Sequence, residues 1–154
     1  MDIRRFDARD SAAVLQLFKE TILSVNLRDY TKEQCEVWAN SFSDIEALEE
    51  RLDKSLTYIA EFDGKIVGFG NVNGFGEIDL LYVHKTFQRR GIASALLRKF
   101  ETDAKSDGFS ELTTEVSITA RPFFESIGYQ VEAKQVKIVR ECEFINFRMK
   151  KELL

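Results

Sequence analysis

Two dipeptides constrain this chain more than any other feature. Asp63-Gly64 and Asn73-Gly74 lie ten residues apart, each between apolar runs. Aspartate or asparagine followed by glycine suits the positive backbone angles of a tight hairpin turn. The runs they separate, Leu56–Phe62, Lys65–Val72 and Glu77–Val83, are rich in β-branched and aromatic residues. Three such runs joined by two hairpin turns predict an antiparallel meander.

The flanking segments have a different period. Upstream, Met1–Phe6 reads as a short strand, and Asp10 is placed to cap a helix in which Val14, Leu17, Phe18 and Ile22 share a stripe. Thr31 is placed to cap "KEQCEVWA". Ser43 does the same for "DIEALEERLDK", whose Ile45, Leu48 and Leu52 share one face. Downstream of the meander, Ile92, Leu96, Phe100 and Ala104 form a helical stripe that ends near Gly108. "ELTTEVS" is the next strand, so Glu77–Val83 and Glu111–Val116 are expected to run parallel across a helical crossover. A short helix, "ARPFFESI", tolerates Pro122 in its first turn and stops at Gly128. "YQVEAKQ" and "CEFINFRMK" read as two last strands. The expected architecture is a layered α/β fold with a mixed, mostly antiparallel sheet and a central parallel β-α-β crossover, in one domain spanning residues 1–154.

Composition narrows the function classes. With 44% hydrophobic residues and a net charge of −4, the chain supports a core but does not suit general binding of nucleic acid or anionic membrane. No apolar run is long enough to span a bilayer, and the N-terminal "MDIRRFDARD" has no secretory apolar core. The cysteines, Cys35 and Cys142, have no metal-ligand spacing, so no metal is expected and a reducing cytoplasm is the simplest location.

An anion site in such a chain has to be local, and one stretch fits. In "FQRRGIASALLRKF", Arg89 and Arg90 precede Gly91 at the start of a helix. The first turn of a helix presents unpaired N–H groups and partial positive charge. Gly91 leaves the backbone open, and Ala93 and Ser94 keep the next turn small. Other phosphate motifs fit worse: no lysine completes a P-loop, and "GFGNVNGFG" fails the dinucleotide spacing.

Gln88-Arg89-Arg90-Gly91-Ile92-Ala93, preceded by "EIDLLYVHKTF", resembles the acyl-CoA signature of the GNAT superfamily of N-acetyltransferases. "SITARPFFESIGY" and the element order extend the resemblance over the chain. It implies a sheet splayed between its fourth and fifth strands, acetyl-CoA as co-substrate, and an amine acceptor that is a small molecule or peptide. By resemblance, Gln88 opens the pyrophosphate loop, and Arg89, Arg90, Gly91, Ile92 and Ala93, with Ser94 in the same turn, hold the diphosphate. Leu81, Tyr82 and Val83 pair with the pantetheine arm, and the N–H near Leu81 polarises the thioester carbonyl.

Amine attack needs a proton acceptor. Glu77 and Asp79 are two apart on one strand and share a face; Glu77 is the first candidate and Asp79 the second. The family's coenzyme-contacting asparagine and its acid tyrosine correspond to Ser117 and Phe124. Ser117 and Phe124 are both placed at the coenzyme by the resemblance, but Phe124 has no proton to give, and Tyr129 reads as packing. This departure leaves two readings: an N-acetyltransferase working by direct attack in a ternary complex, and an acyl-CoA-binding module with little turnover. His84 reads as a surface residue and Cys35 as packing. Tyr30 and Trp38 are open to either acceptor recognition or core packing. The final strand leaves open a homodimer.

Overall fold

The computed structural model describes residues 1–154. Its strands are β1 (Asp2–Arg5), β2 (Leu56–Phe62), β3 (Lys65–Val72), β4 (Glu77–Val83), β5 (Glu111–Ser117), β6 (Gln130–Val139) and β7 (Cys142–Glu152). Its helices are α1 (Ser11–Ser24), α2 (Lys32–Ala39), α3 (Ile45–Asp53), α4 (Ile92–Ser106) and α5 (Arg121–Ser126). The strands form one sheet in the order β1-β2-β3-β4-β5-β7-β6, antiparallel except for the β4–β5 pair.

The first hairpin has the expected chemistry: Asp63 and Gly64 both take positive φ, 50° and 77°. The second link is a longer loop. Asn73 N–H donates to the Glu77 carbonyl, and the positive φ falls on Gly76 rather than Gly74. Glycine is required there twice over, because a Cβ at Gly76 would lie 2.8 Å from the Phe109 ring.

Two caps differ from expectation. Asp10 makes no side-chain cap on α1; its carboxylate is held by Arg4 and accepts from the Asp7 N–H, closing a capping box with Asp7 around a 3-10 turn at Ala8–Asp10. Asp44, not Ser43, accepts from Ala47 N–H at the start of α3. Thr31 does cap α2, in a reciprocal box with Gln34. The last two strands run longer than expected. Arg140 and Glu141 join them with positive φ and no glycine, held there by the ten- and eleven-residue strands that pair on either side.

Helices cover both faces. α1, α2 and α3 bury Val14, Phe18, Ile22, Leu48 and Leu52 against Ile59, Phe69, Leu80 and Phe144. On the other face α4 buries Ile92, Leu96 and Phe100 against Ala60, Val67, Ile78, Val116 and Met149. Ile78 and Leu80 therefore lie in opposite cores although they are two apart, which a regular strand forbids. A bulge resolves this: Val72 pairs with Ile78 and Asn71 with Leu80, leaving Asp79 as the extra residue.

Candidate active site

Parallel pairing between β4 and β5 is limited to Glu77 with Thr113 and Ile78 with Thr114. Thr114 Oγ1 donates to the Ile78 carbonyl at 3.1 Å and closes the fork. Beyond it the strands part around a cleft of about 950 Å³.

Backbone alternation shows what faces this gap. His84 N–H donates to the Val67 carbonyl at 2.8 Å, and Leu80 N–H donates to Asn71 Oδ1 at 3.0 Å, so both point toward β3. The residues between alternate, which turns Leu81 and Val83 toward the gap and Tyr82 toward β3. The Val83 carbonyl agrees, because it accepts from Gln88 Nε2 across the cleft side. Leu81 thus presents an N–H and a carbonyl without a ladder partner, and Val83 an N–H.

The α4 N-terminus lies at the same cleft. Gly91 is its N-cap at φ 80°, no side chain caps it, and the first intrahelical bond runs from Ala95 N–H to the Gly91 carbonyl. The N–H groups of Ile92, Ala93 and Ser94 are left without acceptors, as the first turn of any helix requires. Space around Gly91 is open, with nothing within 4 Å of a Cβ built there. Its requirement for glycine is therefore conformational, as well as giving backbone access. Arg89 also takes positive φ and lines the cleft, whereas Arg90 turns away and stacks on Phe87 at 4.9 Å.

The two candidate carboxylates do not meet in one place. Asp79 lines the cleft; Glu77 accepts from Asn73 Nδ2 at 3.2 Å and borders a separate hollow with Thr113 and Arg148. Arg51 on α3 clamps Asp79 through both oxygens, with Nε to Oδ2 at 2.7 Å. Asn71, wholly buried, donates to the same Oδ2 at 3.0 Å. A carboxylate has about four acceptor positions, so Asp79 keeps one, on Oδ1. Asn71 also bonds Ser55 Oγ and the bulge N–H of Leu80. Neither Arg51 nor Asn71 stood out in the sequence. The available signal was an asparagine on the inward face of an otherwise apolar strand.

Aromatic side chains wall the α1–α3 side. Tyr82 stacks on Phe69 and meets Phe18 and Trp38 edge-on, and burial pushes its phenol above its ordinary range. Trp38 and Tyr82 both line the cleft. Tyr30 does not: its hydroxyl donates to the Ile145 carbonyl at 2.6 Å and accepts from Ile118 N–H at 2.9 Å, bridging the rung where β5 and β7 separate.

Ser117 and Phe124 also line the cleft. Ser117 Oγ accepts from Ala120 N–H, and Phe124 packs edge-on against Tyr129. The Tyr129 hydroxyl donates to Glu101 at 2.9 Å, outside the cleft. Cys35 is buried, which pushes its thiol up and suits packing. His84 is buried too, contrary to the expected surface placement. It caps the turn at Lys85–Phe87 by accepting from Thr86 N–H, and Glu20 lies 3.7 Å away. No helix is long and apolar enough to cross a membrane.

Unpaired strand backbone faces an uncapped helix N-terminus across a fork in a layered α/β sheet, an arrangement suited to an extended amide chain that ends in an anion. Residues 26–153 match the model of the GNAT acetyltransferase domain. An uncharacterized N-acetyltransferase of Escherichia coli (strain K12), YafP, is 34% identical over 151 residues, covering 97% of this chain and 95% of that protein. A GCN5-related N-acetyltransferase from Rhodopseudomonas palustris superposes with a TM-score of 0.96 at 31% identity, over 99% of this chain and 95% of the other. The PaiA N-acetyltransferase of Thermoplasma acidophilum, in complex with coenzyme A, has the same fold, with a TM-score of 0.84 at 20% identity over 98% of each chain. The chain belongs to the GNAT acetyltransferase family.

Proposed function

We propose that this acyltransferase moves the acetyl group of acetyl-CoA to a primary amine of a small molecule or peptide, by direct attack in a ternary complex. The observation that carries the reading is the fork beyond Ile78, with backbone unpaired at Leu81 and at the Val83 N–H, and bare amides at Ile92–Ser94. The amides of Gly91, Ile92, Ala93 and Ser94 suit a diphosphate, with Gln88 holding the loop to Val83 and Arg89 adding charge. Leu81 and Val83 suit an extended pantetheine amide chain. The Leu81 N–H is the oxyanion donor.

Asp79 is the proton acceptor on this reading, because it meets the cleft and keeps an open lone pair; Glu77 faces elsewhere. The amine nitrogen bonds the thioester carbon, its proton passes to Asp79 Oδ1 directly or through one water, and the C–S bond breaks to release the coenzyme thiolate. Neither Phe124 nor Tyr129 supplies that thiolate with a proton.

The test combines acetyl-CoA titration calorimetry with thiol release over a panel of amines. Binding, and release that Asp79→Asn lowers by about 10²- to 10⁴-fold, is the expected result. No heat of binding and no protection against thermal unfolding refutes the reading. Binding without release from any amine leaves an acyl-CoA-binding module.

A further inference from the structure

β6 is the last strand of the sheet, with β7 on one side and solvent on the other. Nine of its ten residues are exposed, including Val136 at 60% and Ile138 at 70%. A long edge with exposed apolar side chains is a template for another strand. We propose that a second copy of this chain occupies it, by antiparallel β6–β6 pairing about a two-fold axis at Val136.

The pairing parity follows from the hairpin. Val139 and Cys142 flank the two-residue turn and exchange both hydrogen bonds. Counting back from Val139, Lys137 and Gln135 also bond β7. Lys134, Val136 and Ile138 therefore point their N–H and C=O groups outward. A two-fold at Val136 sets Val136 against its own copy and Lys134 against Ile138 of the other copy. Every outward N–H between the bulge and the turn then meets an outward carbonyl.

Register and charge select the same axis. The regular part of β6 runs from Ala133 to Val139, between the bulge at Glu132 and the turn at Arg140, and its centre is Val136. This register places Glu132, which pairs with Arg148 and Lys150 of its own copy at 3.5 and 3.6 Å, near Arg140 of the other copy. Moving the axis to Lys137 would oppose Lys137 to itself and Lys134 to Arg140. Moving it to Gln135 would run the bulge at Glu132 into the ladder against Ile138. At the Val136 axis the exposed strip of Val136, Ile138 and Ile145 continues across both copies, with the Lys134 stem over Ile138.

Sedimentation of the full chain over a concentration series is the primary test, with twice the 17.8 kDa monomer mass expected. Hydrogen exchange then locates the contact: the amides of Lys134, Val136 and Ile138 should gain protection as concentration rises. Val136→Pro removes an outward N–H, which an edge strand tolerates, and should give a folded monomer. Val136→Lys should do the same by opposing two ammonium groups, should the proline variant fail to fold. Arg140→Glu should weaken the dimer by setting a carboxylate against Glu132 of the other copy. A wild-type monomer at the highest soluble concentration overturns the proposal. So does a dimer whose three outward amides stay unprotected, which would assign the contact to another face. Both outcomes are independent of acetyl transfer.

Discussion

Asn71→Asp is the sharpest probe of how the bulge at Asp79 is held. Asn71 is wholly buried, and its Oδ1 accepts from Leu80 N–H at 3.0 Å. Aspartate keeps that acceptor, so the bulge survives. The other atom changes from a donor to an oxygen facing Asp79 Oδ2, where Asn71 Nδ2 now lies at 3.0 Å. Two full charges 3–4 Å apart repel by about 4–6 kcal/mol at an effective dielectric constant near 20. The pair avoids this by retaining one proton. Taking up a proton at pH 7 on a group with an ordinary value near 3.9 costs about 4 kcal/mol at ~1.4 kcal/mol per pH unit. That figure caps the added destabilisation at neutral pH, and Arg51, bonded to Asp79, lowers it further.

The sign follows from linkage. The folded variant binds one proton more than its unfolded chain, so its stability relative to wild type rises as pH falls. The deficit is largest above the raised value of the carboxylate pair and vanishes near pH 4, approached at no more than about 1.4 kcal/mol per pH unit. Urea unfolding of both proteins between pH 4 and 8 measures the difference. Asn71→Leu, which strands the Leu80 N–H, should show a deficit at every pH. A difference between Asn71→Asp and wild type that does not change with pH refutes the reasoning.

Gly91→Asp should lower stability by about 1 kcal/mol in urea unfolding, since it holds a side chain at φ 80°, and it sets a carboxylate beside the bare amides of the α4 N-terminus. The same carboxylate competes with diphosphate, so coenzyme A affinity should fall about 10- to 100-fold by calorimetry, the equivalent of one or two charge-assisted hydrogen bonds. Tyr30→Phe should cost about 1–3 kcal/mol in urea unfolding, because Ile118 N–H and the Ile145 carbonyl both lose a partner. Burial depresses the basicity of His84, with Lys65 adding to the effect. Its contribution is complete above the ordinary value near 6.5 and is lost as pH falls through its lower folded value. His84→Gln should flatten that part of the stability profile, and an unchanged slope would count against the burial.

The glycine-opened helix start was readable because its parts are consecutive. Gln88 through Ser94 carry the positive φ, the small side chains and the helix start within seven residues. The carboxylate that lines the cleft was not readable in the same way. Glu77 and Asp79 have the same chemistry in the sequence, and only the bulge and the cleft separate them. His84 looked exposed because it ends a strand; α1 and the turn at Lys85–Phe87 then covered it.

Local signals carried the meander, the crossover helix and the order of elements, because turn chemistry and apolar period act over a few neighbouring residues. The tertiary structure decided which strands are neighbours, where β4 parts from β5, and which carboxylate meets the cleft. These depend on partners far apart in the chain: Arg51 and Asp79 are separated by 28 positions, Tyr30 and Ile145 by 115. No window of sequence contains both members of such a pair. Their contact exists only after the two hydrophobic faces of the sheet have been covered, since that packing brings α3 to β4 and seats Tyr30 between β5 and β7.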